Sequence, residues 1–149
     1  MSKWPPHVTV ASVIARESSY LLVEERDKTS GAMVFNQPAG HLEPGETLLE
    51  AALRETLEET AWQVSLQGVL GTALYTAPDN GVTYYRTTFL AAPITELENA
   101  TLDPDIYQTH WFDYEAILQR SARMRSPLVI ASIERHRRGI LFPLDLIYG

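Results

Sequence analysis

Three carboxylates, Glu55, Glu58 and Glu59, fall within about one helical turn at the end of the segment LLEAALRETLEET. That is the end of a helix where the macrodipole disfavours negative charge. Glu55 and Glu59 are also like-charged i,i+4 neighbours, which weakens a bare helix. Such an arrangement needs a compensating partner, and carboxylate oxygens are the ligands that a hard divalent cation such as Mg2+ takes. A bound cation would turn the repulsion into coordination. The plainer alternative is a solvated acidic face. Against it stands the loop GHLEPGE directly before the helix, since glycine is entropically costly where the backbone does not need it.

The elements that position these residues can be read outward from the helix. At about 100° per residue, Leu49, Leu53, Thr56, Leu57 and Thr60 gather on one side. The three glutamates lie nearly opposite, beside Ala51 and Ala52. The expectation is a helix anchored by its leucine side, with small alanines leaving room next to the carboxylates. Glu43-Pro44-Gly45-Glu46 carries Pro and Gly at the central positions of a type II turn. Thr47 and Glu50 then form a capping-box pattern that starts the helix, and its end is expected near Thr60-Ala61.

Upstream, Val8–Ala15 and Tyr20–Glu25 read as a β-hairpin, and MVFNQPAG as a short strand entering the loop. Downstream, QVSLQGVLGTALYTA and VTYYRTTFLAAPI read as strands joined through PDNG. THWFDYEAILQR passes from strand to helix with Asp113 as its cap. Ser126-Pro127 supplies a cap and a first-turn proline for another helix, which Gly139 closes. Strands outnumber helices and do not alternate regularly with them. The predicted architecture is α/β (α+β), a mixed β-sheet sandwiched between α-helices. With no repeat or linker, residues 1–149 read as one domain.

Composition narrows the function. A hydrophobic share of 45% with 21% charged residues is globular. The net charge of -7 speaks against nucleic-acid binding, which needs a basic footprint, and leaves an anionic substrate dependent on a mediating cation. With no cysteine, disulfides, thiolate metal sites and a cysteine nucleophile are all excluded. The apolar run VTVASVIA is far shorter than a membrane span. The expectation is a cytoplasmic protein, monomer or small homo-oligomer, with no membrane partner.

Gly40, Glu46, Arg54, Glu55, Glu58 and Glu59 are spaced as in the Nudix box, G-x5-E-x7-R-E-U-x-E-E-x-G-U with U apolar, and residues 40–62 closely resemble it. Ala61 stands at the late glycine, and Thr56 and Trp62 at the apolar positions. These departures touch packing and helix exit. The resemblance implies that Glu55, Glu58 and Glu59 bind the metal, with the Gly40 carbonyl as a further ligand. It implies that Arg54 and Glu46 brace the loop against the helix, and that Mg2+ is the cofactor, with Mn2+ as a substitute. PHVTVASVI, LLVEE, FNQPAGHLE, RSPLVIASIE and FPLDLI are similar to the NudJ-type phosphatase subgroup of that family. This implies release of phosphate from nucleoside di- and triphosphates, and hydrolysis of the thiamin-precursor pyrimidine diphosphate. Which acid takes the proton of the attacking water stays open.

Substrate contacts are sought around the box. Gln37 and His41 flank the loop and are candidates for phosphate. Tyr84 and Tyr85 alternate on a strand, so at most one faces a cleft easily; stacking on a base is open to either, or to Tyr75, Phe35 or Trp4, and Tyr84 is taken as the substrate-binding candidate. Arg125, beside the helix start at Ser126, is a candidate for phosphate. Core packing or simple solvation is the rival for each. Asp103, Asp105 and Glu98 lie in a later loop from which the family often draws an extra acid, and the sequence singles none out. The rival functions are a pyrophosphohydrolase of ADP-ribose or dinucleoside polyphosphates, and a non-catalytic nucleotide-binding module, which would not need the full R-E-x-x-E-E set. The isomerase branch of the superfamily, as the resemblance implies, uses a cysteine that this chain lacks.

Overall fold

Among the described residues there are seven strands, all but the short β4 rich in β-branched, aliphatic or aromatic residues: β1 (His7–Arg16), β2 (Ser19–Arg26), β3 (Met33–Asn36), β4 (Ala39–His41), β5 (Trp62–Thr76), β6 (Thr83–Glu96) and β7 (Ile106–Asp113). Three helices accompany them, α1 (Leu48–Thr60), α2 (Tyr114–Gln119) and α3 (Leu128–Arg137). The structure, a computed structural model, describes residues 4–149. The strands run in the order β3-β2-β1-β6-β5, with β4 beside β1 and β7 beside β2. The β1–β6 pairing is parallel and the others are antiparallel, so the sheet is mixed, as expected. Among the described residues no helix is long and apolar enough to cross a membrane.

Strand parity assigns the helices to faces. Val10 and Val13 point to opposite sides of β1. Val10 packs with Ala51 and Ala52 of α1 and with Phe89. Val13 packs with Ile117 of α2 and with Val129 and Ile133 of α3. The sheet therefore lies between α1 on one face and α2 and α3 on the other.

The predicted hairpin pairs only near its turn, at Ala15–Tyr20 and Arg16–Ser19. Beyond those pairs β1 continues with β4 and β6, while β2 continues with β3 and β7. The sheet forks there, and the link from β3 to β4 spans the fork. Polar side chains from both arms turn into this gap.

Helix α1 buries Thr56 and Thr60 of the expected side and packs Leu49 on the core, but it is turned further round than the wheel-based expectation. Its buried residues are Ala51, Ala52, Thr56, Glu59 and Thr60, whereas Leu53 and Leu57 are 40% and 36% exposed. Two alanines bring the helix backbone close to Val10 and Phe89, so the helix rests on its small-residue side and carries Glu59 inward. Both capping-box bonds are present: the Glu50 amide donates to Thr47 Oγ1 at 3.1 Å, and the Thr47 amide to Glu50 Oε1 at 2.9 Å. Ala61 ends the helix in the left-handed region at φ 64°. The start of α3 is shifted by one residue from expectation, with Pro127 flanking it. Ser126 Oγ still accepts from the Leu128 amide at 3.1 Å.

Candidate active site

The loop before α1 is held by one arginine. In the turn Glu43–Glu46, Gly45 takes φ 83° and the Glu46 amide donates to the Glu43 carbonyl at 3.2 Å. Arg54 grips Glu46 with two bonds, Nε to Oε2 at 2.9 Å and Nη2 to Oε1 at 2.7 Å. Such a fork fixes direction as well as distance. It holds the Glu46 carboxyl down to about 2. Arg54 Nη2 also donates to the His41 carbonyl at 3.1 Å, which ties the end of β4 to the helix. The loop, β4 and α1 thus form one braced unit.

The same guanidinium touches two of the three predicted ligands: Nη1 lies 2.7 Å from Glu55 Oε1 and 3.3 Å from Glu58 Oε2. The third, Glu59, is 7% exposed and its Oε1 accepts from the Ala39 amide at 2.9 Å. Burial, reinforced by the nearby charges of Glu25, Glu55 and Asp103, pushes the Glu59 carboxyl up to about 9. Burial also raises Glu55. Gly40 packs so closely on α1 that a Cβ there would overlap the Glu55 carboxylate. The Asp103 amide donates to the Glu58 carbonyl at 2.9 Å, bringing the later acidic loop to the same helix end.

Among the described residues, no three acid or imidazole side chains already converge on a single ligand point, since Arg54 engages Glu55 and Glu58. The donor set nevertheless fits a hard divalent cation. It is all oxygen, it includes a buried carboxylate with one hydrogen bond, and the absent side chain at Gly40 leaves room for the Glu55 carboxylate against β4. Glu55, Glu58, Glu59 and the Gly40 carbonyl are the groups that would hold it.

Next to these ligands the fork opens into a cavity of about 500 Å³, lined among others by Ala39, Gly40, His41, Tyr84 and Arg125. Three of the predicted substrate residues therefore line it, and Tyr85 does not. His41 meets His7 through their ring nitrogens at 3.0 Å, and both rings stand edge-on to Tyr84. Arg125 reaches the gap because its amide donates to the Phe35 carbonyl at 2.8 Å; its Nη1 lies 3.3 Å from Glu25 Oε1.

Gln37 is the exception. It is 1% exposed, donates from Nε2 to the Val129 carbonyl at 2.8 Å and accepts from Arg86 Nη2 at 2.6 Å. Its place is in the link between β3 and β4, bonded to α3 and outside the cavity lining. Arg86, Glu25 and Asn36 line the cavity without having been anticipated. For Arg86 a signal existed: it is an isolated charge in the apolar strand TYYRTTFLAA, two residues from Tyr84 and so on the same face. Burial pushes the Glu25 carboxyl up, with Arg125 opposing the rise. Asp105 lies on the rim, 3.1 Å from Lys28 Nζ.

The NUDIX domain profile matches residues 5–132. Phosphatase NudJ of Escherichia coli K12 is 41% identical over 142 residues, covering 95% of this chain and 90% of that protein. The same figures hold for phosphatase NudJ of Shigella flexneri. Among solved structures, a NUDIX hydrolase from Nitrosomonas europaea superposes with a TM-score of 0.94 at 40% identity, covering 97% of each chain. The NUDIX domain of Shewanella oneidensis NrtR, solved with ADP ribose, shares the fold at a TM-score of 0.71 and 17% identity, covering 92% of this chain and 90% of that one. With a domain match over most of its length and close relatives along nearly all of it, the chain belongs to the Nudix family and is a hydrolase of phosphorus-containing acid anhydrides.

Proposed function

We propose that this hydrolase is Mg2+-dependent and removes phosphate from nucleoside di- and triphosphates, and that it also hydrolyses small pyrimidine diphosphates of the thiamin-precursor type. The observation that carries the reading is the shared wall of ligand cluster and cavity: Ala39 and Gly40, in contact with Glu59 and Glu55 on one side, line the cavity on the other. Phosphate placed in the cavity therefore lies beside the carboxylates. When bound, the cation supplies charge neutralisation of phosphate oxygens and a lowered pKa for the attacking water. The chain's own residues do the positioning. Arg54 sets the loop through Glu46, and Gly40 admits the Glu55 carboxylate against β4. The aromatic rings of Tyr84 and His41, which line the cavity, offer sequence-tolerant stacking to a base or a lone pyrimidine ring. Positioning and charge stabilisation dominate phosphoryl chemistry.

The substrate reading also rests on the similarity to phosphatase NudJ along the chain. It is tested by phosphate release from a panel of nucleoside di- and triphosphates, the pyrimidine diphosphate, ADP-ribose and diadenosine polyphosphates, with Mg2+ and after chelation. Chelation should abolish turnover, and Mg2+ or Mn2+ should restore it. Full activity after exhaustive chelation would refute the metal requirement. A preference above about a thousandfold for ADP-ribose or a dinucleotide, roughly 4 kcal/mol, would refute the substrate class.

A further inference from the structure

Arg86 is a buried cation whose donors are only partly used. It is 7% exposed, and burial lowers it to about 10, so it stays charged at neutral pH. Its bonding partners are two neutral amides: Gln37 Oε1 at 2.6 Å and Asn36 Oδ1 at 3.5 Å, the second at the limit of a hydrogen bond. Among the described residues Nε has no partner, and no carboxylate forms an ion pair with Arg86. Glu25 and Glu59 act on it only through space. Glu25 Oε1 is instead shared by Asn36 Nδ2 at 3.4 Å and Arg125 Nη1 at 3.3 Å. A buried guanidinium ordinarily has a carboxylate or phosphate on its fork. Here Arg86 lines the cavity.

We propose that Arg86 is a phosphate-binding residue of this site, gripping a phosphate group of the substrate from the cavity floor, with Gln37 as the residue that positions it. This rests on the hydrolase reading above and extends it to how the polyanion is held. The cavity presents the Ala39–Gly40 wall, with its cation-binding carboxylates behind, and the Arg86 guanidinium on another side. A ligand that satisfies both needs two anionic centres, as in a diphosphate; a monocarboxylate would satisfy one. Gln37 accepts from Arg86 while donating to the Val129 carbonyl. Its orientation is thereby set by α3, and that of the guanidinium by Gln37.

The test is calorimetric binding of α,β-methylene-ADP in the presence of Mg2+, alongside Mn2+ titration, for wild type, Arg86→Gln, Arg86→Lys and Gln37→Met. Arg86→Gln should weaken analogue binding at least tenfold, about 1.4 kcal/mol, while Mn2+ affinity does not fall. Arg86→Lys should weaken it less, because the charge stays and only the fork is lost. Gln37→Met should fall between wild type and Arg86→Gln. Should Arg86→Gln fail to fold, the lysine and Gln37 variants carry the same comparison. Unchanged analogue affinity in the folded arginine variants would overturn the proposal. Parallel losses of analogue and Mn2+ affinity would also overturn it, as they mark a structural role. If wild type binds and hydrolyses nucleotides but the variants match it, Arg86 alone is refuted. If wild type neither binds nor hydrolyses them, the nucleotide-phosphatase reading falls with it.

Discussion

Replacing Gly40 with alanine separates the needs of the site from those of the fold. Gly40 is not among the positive-φ residues, so its backbone accepts any side chain. The space does not: an added Cβ would overlap the Glu55 carboxylate. The clash meets the end of a flexible side chain, so Glu55 rotates away and gives up its 2.7 Å bond to Arg54. One part-exposed, charge-assisted bond is worth about 1 kcal/mol once solvent screening is allowed for. In a domain of this size that lowers Tm by roughly 2–4 °C. The effect on catalysis is larger, because a group misplaced by about 1 Å costs about 100-fold in rate, or roughly 2.7 kcal/mol of transition-state stabilisation. Phosphate release at saturating Mg2+ and nucleotide, with a thermal melt of each variant, measures both. Gly45→Ala is the control. At φ 83° with nothing within 4 Å of an added Cβ, it carries left-handed strain of about 1–2 kcal/mol and no contact with Glu55. Its Tm should fall while kcat stays near wild type. The reasoning is refuted if folded Gly40→Ala keeps wild-type kcat, or if Gly45→Ala loses activity equally.

Glu58→Gln and Glu59→Gln should each lower kcat on the order of 100-fold or more without unfolding the protein. The amide oxygen introduced by Glu59→Gln can still accept from the Ala39 amide, and Glu58 contributes only a part-exposed contact to Arg54. Wild-type turnover in either variant would remove that residue from the ligand set. Ala61→Gly relieves about 1–2 kcal/mol of left-handed strain and gives back about 0.4–1 kcal/mol through the unfolded chain. A melt should show a small rise in Tm with unchanged kinetics, and a drop in Tm would contradict the strain assignment. His136, bonded to the Tyr20 hydroxyl at 2.7 Å, is held below the usual histidine value first by burial and then by Arg137. Below about pH 6.5 the unfolded chain therefore takes up a proton that the folded chain resists, so stability falls as pH drops through that value toward the folded one. Comparing the Tm loss between pH 7.5 and 5.5 should show a larger drop for wild type than for His136→Gln, and equal drops would rule this group out as the cause.

The parts of the site legible in the sequence are those whose geometry is local. A type II turn, a capping box and an R-E-x-x-E-E spacing lie within about twenty residues, so chain connectivity alone sets their relative positions. Period-2 alternation puts Tyr84 and Tyr85 on opposite faces once the strand is recognised, but which of them meets the cavity is set by the fold, which places Tyr84 there. The seating of α1 does not follow from its own side chains. A helical wheel ranks faces by hydrophobicity, yet this helix rests where Ala51 and Ala52 admit the closest approach to β1 and β6. That choice is made by the partner surface, and it is what buries Glu59. Gln37 is misread for a related reason: its neighbours Pro38 and Gly40 suggest an exposed loop, but α3, more than ninety positions away, supplies the carbonyl that draws it inward. Arg86 depends on long-range structure most of all. In sequence it is one charge interrupting an apolar strand, a pattern equally suited to a solvated edge position. Only the parting of β1 from β2 puts a gap in front of it, and only the link across that gap places Asn36 and Gln37 on its donors. The box provides the carboxylates, whereas the cationic side of the cavity is built by pairing across the fork, where no short motif can record it.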